Sequence, residues 1–247
     1  MVNLTKTQNE QKLEMYSFLV FLNRHSNQYI LKGGTALMFA YNLNRFSEDI
    51  DLDGTNKEKI KEIIDKYCKI YGKTYNIKKD TDTVFRVMLK YNEKKDPLKI
   101  EVSFRAGFIP EDAYQKTIGV AVYNINNLAN MKAMAYMGRN RLRDLFDITF
   151  IVNNYYDQLD SSVRSGIISA FQYKGLDQFD YITSQQSDPL IDPKVLQDSF
   201  LNAYDKLGLF VDPPEPETDF AQDKTENNIT TGKTVLKESS KKSVCDS

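Results

Sequence analysis

Between Arg45 and Gly54 the chain reads RFSEDIDLDG, with Asp49, Asp51 and Asp53 on alternate positions. Carboxylates this close attract a divalent cation, and two kinds of metal site share the pattern. In an EF-hand loop Asp49, Asp51, Asp53 and Gly54 would fill positions one, three, five and six. Position twelve, where a bidentate Glu must close the cage, is Ile60. The calcium-loop reading fails on that ligand, and Ile50 and Leu52 alternate with the acids as in a half-buried strand. The other kind is a strand that projects Asp49 and Asp51 from one face, because strand side chains repeat every two residues. Such a pair can bridge two divalent ions about 3.5–4 Å apart, the arrangement used for in-line phosphoryl displacement. Asp53, beside Gly54, is expected to be a turn residue rather than a ligand.

Two further stretches fit the second reading. Upstream, in LKGGTAL, a strand ends at Gly33-Gly34 and a helix begins at Thr35. Missing side chains let backbone N–H groups approach a phosphate, and a helix N-terminus favours negative charge. Downstream, in KIEVSFR, Lys99, Glu101, Ser103 and Arg105 share a face opposite Ile100, Val102 and Phe104. Glu101 can therefore supply a third carboxylate if this strand lies beside the Asp49–Asp53 strand.

These motifs need elements to hold them. An amphipathic helix is expected over Leu4–Asn23, with Leu13, Tyr16, Val20 and Asn23 on one face. A short strand follows over Tyr29–Lys32, then the helix from Thr35 and the strand Asp49–Asp53. Ile60, Ile63, Ile64, Tyr67, Cys68 and Tyr71 fall at helical spacing, with Gly72 as the stop. Val84–Tyr91 and Leu98–Arg105 alternate like a two-strand ribbon joined by NEKKDP. The fold class is therefore α+β, a small mixed sheet with flanking helices over residues 1–124. After Asn124 the pattern turns mainly helical through 125–211. From Asp212 the chain is a polar tail of eight acidic and five basic residues, expected to be disordered.

The helical half carries its own candidates. LANMKAMAYMGRNRLRDLFDI contains Lys132, Arg143, Asp144 and Asp147, with the two aspartates one helical turn apart. Arg143 can pair with either of them. Met131, Met134 and Met137 are read as core packing, and Arg139, Arg141 and Arg143 as a sparse basic rim. Arg45 is open to a phosphate contact or a structural salt bridge, and His25, in NRHSNQ, is read as a loop residue.

GGT, a helix of spacer, RFSEDIDL and then a lone acid in KIEV resemble the nucleotidyltransferase superfamily with the DNA polymerase β-like fold. LKGGTAL with NRFSEDIDLD is similar, more narrowly, to the AbiEii/AbiGii-type toxins of bacterial type IV toxin–antitoxin and abortive-infection systems. The Lys132 helix and the R-D-x-x-D element formed by Arg143, Asp144 and Asp147 extend that resemblance over residues 29–150. It implies a nucleotidyltransferase fold and transfer of a nucleoside monophosphate from an NTP to an RNA, tRNA included, or to a protein hydroxyl. It also implies a separately encoded antitoxin. Gly33, Gly34 and Thr35 would hold the triphosphate, and Asp49, Asp51 and Glu101 would bind Mg²⁺ or Mn²⁺. Lys132 would neutralise phosphate charge, with Asp144 or Asp147 orienting it or the nucleotide. The alternatives are a nucleotide- or metal-binding protein that acts through a partner, and a small-molecule adenylyltransferase.

Composition narrows the rest. With 247 residues, 41% hydrophobic and 27% charged, the chain can bury a substantial core. Its net charge of −1 gives no global attraction to nucleic acid or an anionic membrane. No apolar run approaches the roughly 20 residues that a bilayer span requires. Two cysteines, Cys68 and Cys245, make neither a disulfide framework nor a zinc site, so a reducing cytoplasm is expected.

Overall fold

A computed structural model of the protein describes residues 4–93 and 96–210. Helix α1 (Lys6–His25) starts at a reciprocal cap: the Thr5 hydroxyl accepts from the Gln8 N–H, and the Gln8 side chain accepts from the Thr5 N–H. Its buried stripe is Met15, Phe18, Leu19 and Leu22, whereas Leu13 is 68% exposed. The expected Leu13 face is thus displaced around the helix. His25 lies in the last turn of α1 rather than in a loop, its ring against Phe21 and its Nδ1 2.8 Å from the Phe21 carbonyl.

Strand β1 (Tyr29–Lys32) runs straight into α2 (Gly33–Ala40), and β2 (Ile50–Gly54) is followed by α3 (Lys57–Tyr71). Helix α3 is capped by the Asn56 side chain at its start and ends at left-handed Gly72, the stop expected from the sequence. Strands β3 (Thr74–Thr81), β4 (Val84–Lys90), β5 (Leu98–Ser103), β6 (Tyr114–Thr117) and β7 (Val120–Tyr123) complete one sheet ordered β3-β4-β5-β2-β1-β7-β6. It is mixed: β2 pairs β5 in parallel and β1 pairs β7 in parallel, while the other pairs are antiparallel.

Register sorts the sheet into two faces. Leu31, Leu52, Val102 and Phe85 stand side by side in one row across four strands. They are nearly inaccessible and belong to the core that holds Phe18 and Leu22 of α1 and Ile60 and Ile64 of α3. Each such side chain, fully buried, contributes about 1.5–3 kcal/mol. The next row is Lys32, Asp51, Glu101 and Arg86, four charged residues in register on the opposite face.

The helical half covers part of that charged face. Helices α4 (Ile125–Gly138), α5 (Leu142–Tyr155), α6 (Ser161–Gln185) and α7 (Pro193–Lys206) pack around Phe171, Phe179 and Phe200, whose rings stack with Phe200 in the middle. The inner face of α4 is Leu128, Ala129, Ala133 and Tyr136. The methionine stripe is not core: Met131 is half-buried, and Met134 and Met137 are 66% and 40% exposed. A step of three residues falls short of the 3.6-residue turn, so the stripe drifts off the buried face. The described residues fall within one compact unit, and the expected disordered tail from Asp212 lies outside them. Among the described residues, no helix is long and apolar enough to cross a membrane.

Candidate active site

The charged row forms the floor of a cleft of about 770 Å³. Strand β2 presents Asp51, and Asp49 immediately precedes it. Strand β5, one ladder step away, presents Lys99 and Glu101, with Glu101 directly opposite Asp51. The three acids predicted from the sequence are therefore brought together. Two of them are already bound by a cation: Lys99 Nζ is 2.6 Å from Asp49 Oδ2, and Arg86 Nε is 2.5 Å from Glu101 Oε2. Burial pushes the Asp51 carboxyl above its ordinary range; Lys99 opposes this, while Asp49 and Glu101 add to it. Burial works to lower the Lys99 pKa, but its bond to Asp49 and the fields of Asp51 and Glu101 outweigh it and raise it.

Asp53 is not in a turn. It is a buried member of β2, 2.5 Å from Lys32 Nζ, and it accepts from the Tyr123 hydroxyl at 3.0 Å. These bonds tie β2 to β1 and β7 further along the same face of the sheet, and Asp53 does not line the cleft.

At the edge of the floor the chain turns from β1 into α2, two residues earlier than predicted, with Gly33 at φ +74°. A Cβ on Gly33 would lie 3.3 Å from Asp51 Oδ2, and one on Gly34 would lie 2.7 Å from Arg45 Nη2 and 2.9 Å from Ser47 Oγ. Gly33 is thus required by its left-handed backbone and Gly34 by close approach, and their N–H groups open the helix beside the acids. Thr35 is placed differently from the two glycines. It is 1% exposed, donates to the Asp49 carbonyl and lies 2.9 Å from the Ser47 hydroxyl. Its side chain fixes the Asp49 backbone and does not line the cleft.

A chain of alternating charges forms the far wall. Asp147, fully buried, accepts from Arg45 Nε at 2.8 Å and Nη2 at 2.7 Å, and also binds Lys132 Nζ at 2.6 Å. Lys132 is 3.4 Å from Asp144, which in turn takes Arg139 Nε at 2.6 Å. Lys132 therefore engages both aspartates, with the shorter bond to Asp147. Burial alone would raise the Asp147 pKa, but Lys132 and Arg45 hold the carboxyl below its ordinary range. Arg45 is accordingly a structural partner, bound bidentately to a carboxylate while 3% exposed. Arg143 pairs with neither predicted aspartate; it bridges Glu48 at 2.8 Å and Asp188 at 2.5 Å across the cleft mouth.

Sequence reading missed Arg86 and Lys32 as cleft residues; Lys99 and Arg139, expected on the Glu101 face and in the basic rim, do line the cleft, and it is their carboxylate partners that were not foreseen. The signal for Arg86 was present in VFRVMLK, where one charge interrupts an apolar strand. That for Lys32 was the lone charge ending YILK.

The donor set suits a hard divalent cation: carboxylate oxygens only, two from one strand face and one from its in-register neighbour. In the present side-chain arrangement no group of three His, Cys, Asp or Glu among the described residues is disposed to hold a metal. Asp49 and Glu101 face Lys99 and Arg86 instead.

A mixed sheet with paired acids on one strand, a third on the next and a glycine turn beside them defines a nucleotidyltransferase fold. The sequence matches the family described as nucleotidyl transferase AbiEii toxin, type IV TA system, over residues 20–224, and the chain belongs to that family. Among solved structures it is similar to a candidate nucleotidyltransferase from H. pylori, at TM-score 0.65 and 25% identity, covering 83% of this chain and 96% of that one. JHP933 from Helicobacter pylori is similar too, at TM-score 0.63 and 25% identity, covering 83% and 94%. No curated protein matches.

Proposed function

We propose that the protein transfers a nucleoside monophosphate from a nucleoside triphosphate to a hydroxyl of RNA or protein, with Mg²⁺ or Mn²⁺. It would act in the cytoplasm as a toxin restrained by a separately encoded antitoxin. The observation that carries this reading is the placement of Asp49, Asp51 and Glu101 on one sheet face beside the N-terminus of α2.

In this reading the Gly33 and Gly34 N–H groups receive phosphate oxygens at the helix N-terminus. Lys132, held by Asp147, brings a fixed positive charge to the same phosphates. A divalent ion held by Asp49, Asp51 and Glu101 would supply charge neutralisation for the reacting phosphoryl group. The acceptor oxygen forms its bond to the α-phosphorus as the bond to the bridging oxygen breaks, and pyrophosphate leaves. Glu101, once Arg86 releases its carboxylate, would either complete the metal site or take the proton of the acceptor hydroxyl. Positioning and charge neutralisation, rather than covalent chemistry by the protein, account for such catalysis.

The test is incubation of purified protein with each of four α-³²P-labelled NTPs, Mg²⁺ or Mn²⁺, and total bacterial RNA and protein, beside an Asp49→Ala/Asp51→Ala variant. Label moving to a defined RNA or protein band in the wild type alone is expected, and names both nucleotide and acceptor. Metal-dependent NTP binding without transfer would instead favour a binding protein that works through a partner.

A further inference from the structure

The Lys99 ammonium occupies the ground between the carboxylates. It is bonded to Asp49, precedes Glu101 by two residues on the same strand face, and is attracted by Asp51. Its side chain is 29% exposed, so it has open cleft to move into. Asp49 cannot turn an oxygen to a metal and keep this bond at 2.6 Å without bringing a divalent ion against an ammonium. Lys32, the other lysine on the floor, is spent differently: its ammonium is bonded to Asp53, outside the cleft on the same sheet face.

We infer that Lys99 is a displaceable counter-cation: it neutralises the acid cluster in the metal-free protein and must leave when a divalent ion enters. This rests on the reading of Asp49, Asp51 and Glu101 as metal ligands. Metal entry is then an ion exchange. Its affinity is set by the difference between two cations competing for the same oxygens, and a monovalent ion is poorly placed to win. Lys99 thereby selects for high charge density and holds Asp49 and Asp51, otherwise mutually repelling, in place until the metal arrives.

The test is Mn²⁺ binding followed by EPR of the free ion, on wild type, Lys99→Met, Lys32→Met and Asp51→Asn, each checked for folding by circular dichroism. Lys99→Met is expected to bind Mn²⁺ about two- to fivefold more tightly, the scale on which a partly exposed ion pair competes. Lys32→Met removes the same charge from the floor and is expected to shift affinity less, which separates displacement from a general field. A second readout covers a misfolded variant: in wild-type protein, Mg²⁺ should raise the rate of Lys99 acetylation, measured by mass spectrometry, and should not do so in Asp51→Asn. Unchanged or weaker Mn²⁺ binding in Lys99→Met, with wild type binding and Asp51→Asn not, overturns the role of Lys99 alone. Equal tightening in both lysine variants overturns it too, as does a Lys99 acetylation rate blind to Mg²⁺. Absence of Mn²⁺ binding from wild type and Lys99→Met alike overturns the metal reading and this inference together.

Discussion

Asp51 illustrates how a functional residue can work against the fold that holds it. Its carboxylate is half-buried beside two others, and loss of water there is the main reason its pKa is raised. Replacing it by Asn removes a charge that the site disfavours while keeping nearly the same shape. Asp51→Asn is therefore expected to unfold at the same temperature as the metal-free wild type or a few degrees higher. It should lose transfer activity by at least about 10²–10³-fold, the loss that follows removal of one preorganised electrostatic partner. A thermal melt beside the labelled-NTP assay reads both, and a large drop in melting temperature would contradict this account of Asp51. Asp147 behaves in the opposite sense. Its pKa is lowered, so its ionised form is favoured by folding and stabilises the protein above the unfolded carboxylate value of 3.8. That stability is lost only as pH falls through the lower folded value. Asp147→Asn leaves Arg45 buried with half its partner and should cost about 3–5 kcal/mol near neutral pH in urea unfolding. The gap between wild type and variant should narrow as pH drops below the ordinary carboxylate range.

At the scale of elements, the β1–α2 turn is set by what lies behind it. Gly34 has no room for a methyl group because Arg45 and Ser47 stand under 3 Å from where it would be. Gly34→Ala should push the Arg45 guanidinium off Asp147 and cost about 1–3 kcal/mol, the range for overpacking, with loss of activity alongside. Urea unfolding with preserved stability would show that Arg45 can give way freely. The same turn shows what was legible in the sequence. GGT and RFSEDIDL carried the site because each residue type there is dictated by local geometry: no side chain at the turn, acids at strand period. Alternation put Glu101 on the polar face of β5, whereas the adjacency of β5 and β2, only a condition in the sequence, is seen in their register. Strand β3 stayed hidden because seven of its eight residues are exposed, which leaves no apolar alternation to read. The β6–β7 hairpin was missed although its turn, Ile118-Gly119, has both residues at positive φ; Ile118 is a residue type that gives no turn signal there. The partners of Arg45 and Arg143 were unreadable for another reason: they lie 102 and 95 residues away in Asp147 and Glu48, and no local pattern reports such contacts.

Across the whole molecule, the sheet and the helices that follow Asn124 share one cleft and one charge chain. Asp49, Asp51 and Glu101 come from the sheet, while Lys132, Asp144 and Asp147 come from α4 and α5. Of the pairs that join them, Arg45 with Asp147 is buried, and Tyr155, half-buried, donates to the Tyr41 carbonyl at 2.6 Å with the two rings edge to face. A fragment ending at residue 124 would keep every strand and both glycines. It would also strand Arg45, nearly inaccessible, without its carboxylate and expose the apolar side chains that meet α4. An unpaired buried charge of this kind costs about 3–5 kcal/mol, a large share of the roughly 5–15 kcal/mol that stabilises a domain. Residues 1–124 alone are therefore expected to lack cooperative unfolding and to bind the dye ANS. Adding the Arg45→Met substitution to that fragment should recover part of the loss by removing the stranded charge. A fragment that melts cooperatively without the helical half would show that the sheet folds independently and that the Arg45–Asp147 pair serves the cleft alone.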